Sequence, residues 1–447
     1  VLGVLETRCL DFDDVLLLSV NEGTLPQTPN DNSFIPYMLR KAFGLTTPER
    51  RTAVYAYYFY RLVQRARRLR MTFNSSAEGL SSGEMSRFMT QLRVDRNLPI
   101  VDLALRVDLD SLLHTPAAVD KPRDLVERLY RRDAEGHVKG AHPSLSPSAI
   151  NTYLRCPLRF YYEYVCNYRM PQPTPDDGIQ PNLLGTIFHA AAQAVYERVV
   201  SDHRGTPPPG YLEALARRPK TGEPSPLRPY IVQAFAKENF EPEQLPVLEA
   251  SVVEMYLRIL LEDDARLDEL QVCELERWHE MHLPLPEGLG ASHVTIGGIM
   301  DRLDRVTHDG RRLWRIVDYK TGGNLETADS VAQLFEVRGG NHRHYMLQTF
   351  IYAEILRREL APDASSIAPA LYFVHRARGK NGFSPYLKMG KGKEKSEVVD
   401  FAEQVPDFAE RLTQLVGEML DPARSFEPLT DDEKTCKVCP FYALCYR

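Results

Sequence analysis

The chain has 447 residues, a formal net charge of −6, 43% hydrophobic and 26% charged residues, a globular composition with room for about two or three domains. The acidic balance excludes a surface coated uniformly with basic groups, so any nucleic-acid binding has to be local. No run of eighteen apolar residues and no charged-then-apolar leader occurs, which argues against a membrane span or secretory signal. Seven cysteines, four of them in a pattern better suited to a metal than to disulfides, fit a reducing, cytoplasmic setting. The chain opens on Val1, inside a stretch with strand character, and reads as a piece of a longer polypeptide.

Residues 1–115 read as α/β. Val15–Leu18 forms a short buried strand with a turn-rich exit at Asn21-Glu22-Gly23. A Tyr- and Arg-rich helix runs from Pro48 to Arg70, followed by a strand over 69–73. Arg50, Arg51, Arg61, Arg65, Arg67, Arg68 and Arg70 have one nearby acid, Glu49, so the surface is either a solvated helix face or a DNA-facing one. Glu6-x-Arg8, Phe12-Asp13-Asp14-Val15, Asn21-Glu22-Gly23 and Glu49-Arg50-Arg51 resemble the last part of a UvrD-like helicase core as found in AddB-type subunits. Where active helicases carry Thr-Arg-Ala this chain has Tyr58-Phe59-Tyr60, and no phosphate-binding loop occurs. No ATPase activity is expected.

Residues 116–144 read as a charged, partly helical linker. A second domain, 145–447, opens at Ser146-Pro147, an N-cap followed by Pro at the first helical position. The next helix spans about Leu184–Val200 and begins Gly185-Thr186-Ile187-Phe188-His189; by itself His189 is an ordinary core or surface histidine. Residues 203–229, rich in Pro and Gly, read as an exposed insertion. Helices over 230–270 contain the acidic run Glu262-Asp263-Asp264, read as solvated surface, and a strand near 272–281 follows.

The most informative stretch is Gly297–Gly322, two strands joined at Asp309-Gly310, a dipeptide that accepts positive φ at both turn centres. Counting outward, 308 faces 311, Asp304 faces Arg315, and Asp301 faces Asp318, with opposed Cβ atoms roughly 4.5–5.5 Å apart. Lys320 shares the face of Asp318, and Asp304 points to the other side. Ile316 and Val317 mark a strand buried on both faces. Two carboxylates held so close repel unless a cation sits between them. The pair reads either as ordinary charges on a solvated hairpin or, at the end of a buried strand, as a site whose oxygen ligands favour a hard ion such as Mg²⁺ or Mn²⁺.

Gly-x-x-Asp followed by an apolar strand ending Asp-Tyr-Lys-Thr-Gly resembles the PD-(D/E)xK nuclease superfamily in its RecB- and AddB-type branch. The resemblance implies that Asp301 and Asp318 hold the metal, that His189 of the Gly-Thr-x-x-His helix adds an imidazole, and that Lys320 assists the attacking water. It also implies that Gln348 and Tyr352, four apart on one helix face, support DNA and the catalytic face. Downstream, Ala370–Val374 reads as a core strand. Arg376, Arg378, Lys380, Lys388, Lys391, Lys393 and Lys395 form a second basic cluster on a glycine-containing mobile loop, a phosphate-contact surface or simply a soluble one.

Near the end, Cys436, Cys439 and Cys445 supply three thiols, with Cys156 the candidate fourth; the spacing alone suits zinc or an iron–sulfur cluster. Similarity to AddB-type nuclease domains implies a [4Fe–4S] cluster, and the 280 positions from Cys156 to Cys436 make it a structural staple. Cys9, Cys166 and Cys273 read as unliganded.

The expected fold is α/β: a restriction-endonuclease-like core, a mixed central sheet flanked by helices, preceded by an α/β remnant of a UvrD-like helicase domain. The expected function is a metal-dependent DNA exonuclease within an AddB-like subunit, acting on single strands or unwound duplex ends beside an AddA-like helicase–nuclease partner in double-strand-break repair. The alternatives are a non-enzymatic scaffold that binds DNA ends and a free-standing single-strand exonuclease.

Overall fold

The computed structural model describes residues 2–7, 10–27, 35, 37–75, 83–94, 98–104, 118–132, 138–168, 180–220, 222–242, 245–336, 342–360, 366–377, 383–429 and 433–445. Val1, Arg8, Cys9, Arg378 and Lys380 lie outside them. The chain divides into two units, Val1–Asp108 and Leu109–Arg447.

In the first unit, β1 (Asp14–Leu17) pairs in parallel with β2 (Arg68–Met71). Parallel neighbours need a crossover, which here contains α1 (Tyr37–Ala42) and α2 (Pro48–Val63); α3 (Arg87–Val94) follows. Val15, Leu17, Phe59, Leu62 and Phe88 form its core. The expected long helix stops at Val63 because the chain must turn back to β1: the N–H groups of Arg67 and Arg68 both donate to the Asp13 carbonyl. The opening is a 3₁₀ turn, Val4–Thr7, instead of a strand. Arg61 and Arg65 pair with Asp11, Arg67 with Asp13 and Arg68 with Asp14, so the acids that balance these arginines come from upstream, around the start of β1.

The second unit starts earlier than the sequence suggests. The stretch read as a linker carries α4 (Leu125–Arg128), β3 (Tyr130–Arg132) and β4 (Val138–Leu145). Leu125, Leu129 and Leu145 are buried in the main core, and Val119 exchanges backbone hydrogen bonds with Phe426. After β4 come α5 (Pro147–Arg155), capped by the Ser146 hydroxyl on Ala149 N–H at 3.1 Å, and α6 (Pro157–Phe160). Four helices follow, α7 (Pro181–His203), α8 (Tyr211–Ala216), α9 (Arg228–Lys237) and α10 (Val247–Asp264). The Pro-rich insertion is therefore partly packed, since Leu212, Ala216 and Leu227 are buried.

The remaining elements are β5 (Leu270–Pro284), β6 (His293–His308), β7 (Arg311–Lys320), β8 (Thr327–Ala328), α11 (His344–Leu360), β9 (Ile367–Phe373), β10 (Lys388–Met389), β11 (Ser396–Glu397), α12 (Val405–Leu420) and α13 (Glu433–Lys437). The six-stranded sheet runs β3-β4-β6-β7-β9, with β5 also on β6. Antiparallel β6–β7 turn at Asp309 and Gly310, both at positive φ (48° and 75°), and α11 is the crossover to the parallel strand β9. The lysine-rich stretch expected as a loop contains β10 and β11, which extend β8; Lys395 there pairs with Asp329 at 3.5 Å. No helix among the described residues is long and apolar enough to cross a membrane.

The two faces of β6–β7 are buried differently. Leu303 and Ile316 join one core with α11 and α12, while Val306, Leu313 and Val317 join another with α7 and α10. On the second face, Asp264 is buried, contrary to its expected place in a solvated acidic run. Arg302 donates to it at 2.6 and 3.2 Å and Arg315 at 3.3 Å. Arg315 also donates to both oxygens of Asp304 at 3.0 and 2.9 Å, and the Tyr196 hydroxyl donates to Asp264. The last turn of α10 meets the hairpin here, so the end of that acidic run becomes a counter-ion. Burial opposes ionisation of Asp264, but Arg302 and Arg315 outweigh it and hold its carboxyl below the usual value. Asp264→Ala leaves two buried guanidinium groups sharing one carboxylate and should destabilise the protein by about 3–5 kcal/mol, measured by chemical denaturation.

Candidate active site

The register of β6 defines where the site lies. Thr295 pairs with His282 of β5 and Ser144 of β4; Leu303 pairs with Glu274 of β5 and Ile316 of β7. Both β4 and β7 therefore sit on the edge opposite β5, β4 at Thr295–Ile296 and β7 at Arg302–His308. Between them, Gly297–Asp301 has no strand partner on that edge among the described residues. An open backbone edge inside a protein has to be satisfied or covered, and here side chains cover it.

Gly298 lies under Tyr352 of α11 and Pro147 of α5: a Cβ added there would meet the Tyr352 ring and hydroxyl at 3.0 Å and Pro147 Cδ at 3.3 Å. Asp301 was expected to face Asp318 as a ladder pair. The ladder stops one pair short, at Arg302–Val317, and Asp301 Oδ2 instead accepts the Tyr319 N–H at 2.8 Å. Opposite Asp301 on β5, Glu276 takes a left-handed φ of 45°, sparsely populated for a side chain with a Cβ.

His189 of α7 completes this group. Its Nδ1 is 3.4 Å from Asp301 Oδ2 and 3.7 Å from Glu276 Oε1, and its Nε2 is 3.2 Å from the Tyr319 carbonyl. Burial disfavours charge on the ring, but Asp301, Glu276 and Asp318 outweigh it and push His189 up to about 10. Gly185, one turn earlier, brings α7 against Thr321: a Cβ there would lie 3.2 Å from its hydroxyl.

Asp318 and Lys320 end β7 on the α11 side. Lys320 Nζ is 2.5 Å from Asp318 Oδ2, and Gln348 Nε2 donates to Asp318 Oδ1 at 3.1 Å and to the Tyr352 hydroxyl at 3.3 Å. Burial raises Asp318 to about 6; Lys320 opposes the rise and Asp301 adds to it. Lys320 also lies 4.9 Å from the Tyr345 ring centroid, an approach that requires glycine at 323, where a Cβ would meet the Tyr345 hydroxyl at 2.7 Å.

His189, Asp301, Asp318, Lys320, Gln348 and Tyr352 thus line one short edge of the sheet. The sequence reading missed Glu276. Among the described residues, His189, Glu276 and Asp301 are the set whose ligand atoms all lie within 4.8 Å of one another; Asp318 is drawn instead to Lys320. The available signal was the acid-rich strand Glu274-Leu275-Glu276, but its register depends on the β5–β6 connection. Imidazole and carboxylate oxygens suit a divalent metal, and the surplus of negative charge fits a cation.

Cys156 ends α5, and it lines a separate cavity with Cys436, Cys439 and Cys445, beside Arg155, Arg159 and Tyr162. The Arg159 N–H points at Cys156 Sγ at 3.4 Å. Burial pushes the Cys439 thiol up, and the neighbouring Cys156 and Cys436 act in the same direction.

Gly298→Ala should displace Tyr352 and destabilise the protein by about 1–3 kcal/mol through overpacking, whereas in a Tyr352→Ala background the same change should cost little, as read from a denaturation double-mutant cycle. The family model of the PD-(D/E)XK nuclease superfamily matches residues 144–446. No curated protein matches the chain.

Proposed function

Because this chain belongs to the PD-(D/E)XK nuclease superfamily, whose members are nucleases, we propose that its second unit hydrolyses DNA phosphodiester bonds with Mg²⁺ or Mn²⁺ at the open edge of β6. The observation that carries this reading is the crowding of Asp301, Glu276 and Asp318 around His189 and Lys320. His189, Asp301 and Glu276 would hold the ion, with Asp318 recruited from its contact with Lys320. When bound, the ion supplies Lewis acidity toward a phosphate oxygen and a more acidic bound water.

The chain's own groups do the rest. The Lys320 ammonium, freed as Asp318 turns to the ion, orients the attacking water and meets charge developing on the phosphate. Gln348 fixes the Asp318 carboxylate and, with Tyr352, presents hydrogen-bonding groups toward the substrate backbone. Substrate is a single strand or an unwound end, handed over by an AddA-like helicase partner in break repair. The first unit is read as the ATPase-inactive tail of a helicase-like domain.

We read the four-cysteine cavity as the site of a [4Fe–4S] cluster. Four thiols facing one space fit such a group, and the cluster would tie the start of the nuclease domain to its end, acting as a staple.

Asp318→Ala and Asp301→Ala should reduce Mg²⁺-dependent degradation of single-stranded DNA to background with an unchanged circular dichroism spectrum. Lys320→Ala should lower the rate by about 10²–10⁴-fold. Full activity in Asp318→Ala refutes the assignment, and DNA binding without cleavage in any divalent metal favours the scaffold reading. Anaerobically prepared protein should contain about four irons and four sulfides per chain, lost in Cys156→Ser; an iron-free wild type with no visible absorption excludes the cluster without touching the nuclease assignment.

A further inference from the structure

A cluster of three imidazole side chains lies on the sheet away from the carboxylate site. His142 of β4, His282 of β5 and His293 of β6 come from three neighbouring strands, brought level because Thr295 pairs with both Ser144 and His282. Their ring centroids are 4.3 Å (His142–His293), 5.0 Å (His282–His293) and 5.3 Å (His142–His282) apart. His142 and His282 are exposed and His293 is half-buried.

The contact between the first pair is chemically specific. His293 Nε2 is 3.1 Å from His142 Nδ1, and two ring nitrogens at that distance need one to donate and the other to accept. One proton then bridges them. Two nitrogens bound to one tetrahedral ion at about 2.0–2.1 Å would stand about as far apart, so an ion can replace that proton with little movement. The Ser292 hydroxyl meets His293 Nδ1 at 3.0 Å, the far-side partner that orients a ligating ring. His282 Nδ1 lies 3.2 Å from the Thr295 hydroxyl.

Another histidine of β5 shows what a structural role looks like. His279 is buried, with Glu359 at 2.6 Å from Nδ1 and Glu274 at 2.8 Å from Nε2. Among the described residues no carboxylate lies within ion-pair distance of His142, His282 or His293.

We infer that His142, His282 and His293 form a site for a divalent transition metal of the zinc type, pinning β4, β5 and β6 together. Ring nitrogens of the three do not all lie within 4.8 Å of one another, so His282 enters the set by turning its exposed ring from Thr295 to the ion. All-imidazole coordination selects Zn²⁺, Cu²⁺ or Ni²⁺ over Mg²⁺, so this site and the carboxylate edge take different ions. Its mechanical value lies in β4, which pairs with β6 only through Ser144 and Leu145 and leads directly into α5, whose Pro147 lies against Gly298.

Equilibrium dialysis of the full chain against micromolar Zn²⁺ tests this. The wild type should bind one more equivalent than His142→Asn/His293→Asn, whose zinc-free unfolding transition should match the wild type. His282→Ala should weaken that extra equivalent by about 10–100-fold or more. Equal zinc content in wild type and double variant overturns the site, and unchanged affinity in His282→Ala overturns the three-imidazole set. A wild-type unfolding temperature that zinc leaves unmoved overturns it without any variant.

Discussion

Strand β6 changes partner along one edge, from β4 to β7, and between them, among the described residues, that edge leaves Gly297–Asp301 without a strand beside it. Backbone groups inside a fold cannot stay unpaired, so this gap has to be filled by whatever side chains the surrounding elements supply. The Asp301 carboxylate takes the Tyr319 N–H, and α5 and α11 close over the bare backbone of Gly298. A gap in a ladder thereby gathers polar side chains from β5, β6, β7, α7 and α11 at one place.

The same hairpin carries two charge clusters of opposite character. Under α7 and α10, Arg302 and Arg315 balance Asp264 and Asp304, and every charge is buried against a hydrogen-bonded partner. Such a set is closed: it fixes how α10 packs on the sheet and leaves little for a ligand to do. At the open edge, among the described residues, three carboxylates (Asp301, Glu276 and Asp318) stand against two basic groups, Lys320 and His189. That imbalance distinguishes a cluster built for packing from one built to receive a cation.

Distant parts of the second unit also converge away from the sheet edge. Val119 pairs with Phe426, Lys121 donates to the carbonyls of Glu418 and Asp421 at 2.7 and 3.0 Å, and Leu158 N–H donates to Glu427 O at 3.1 Å. The cavity shared by Cys156, Cys436, Cys439 and Cys445 lies along this seam. Closing segments so far apart in the chain is entropically demanding, and the many short contacts along the seam share that load.

Local chemistry made much of this readable in advance. Asp309-Gly310 determines the turn and, by counting, the pairing of Asp304 with Arg315; Ser146-Pro147 determines where α5 begins; helical spacing alone puts Gln348 next to Tyr352. Each depends on neighbours within a few residues, where backbone geometry leaves few choices. Tertiary structure decided what depends on distant partners. It buried Asp264 at the end of an acidic run because two arginines of the hairpin meet it there. It also drew much of the stretch read as a linker into the sheet and core through Leu125, Leu129 and strand β4, and set Glu276 opposite Asp301 by a strand irregularity. A charge or a short strand carries no mark of the partner that will neutralise or pair it, because that partner is chosen by packing across the whole fold.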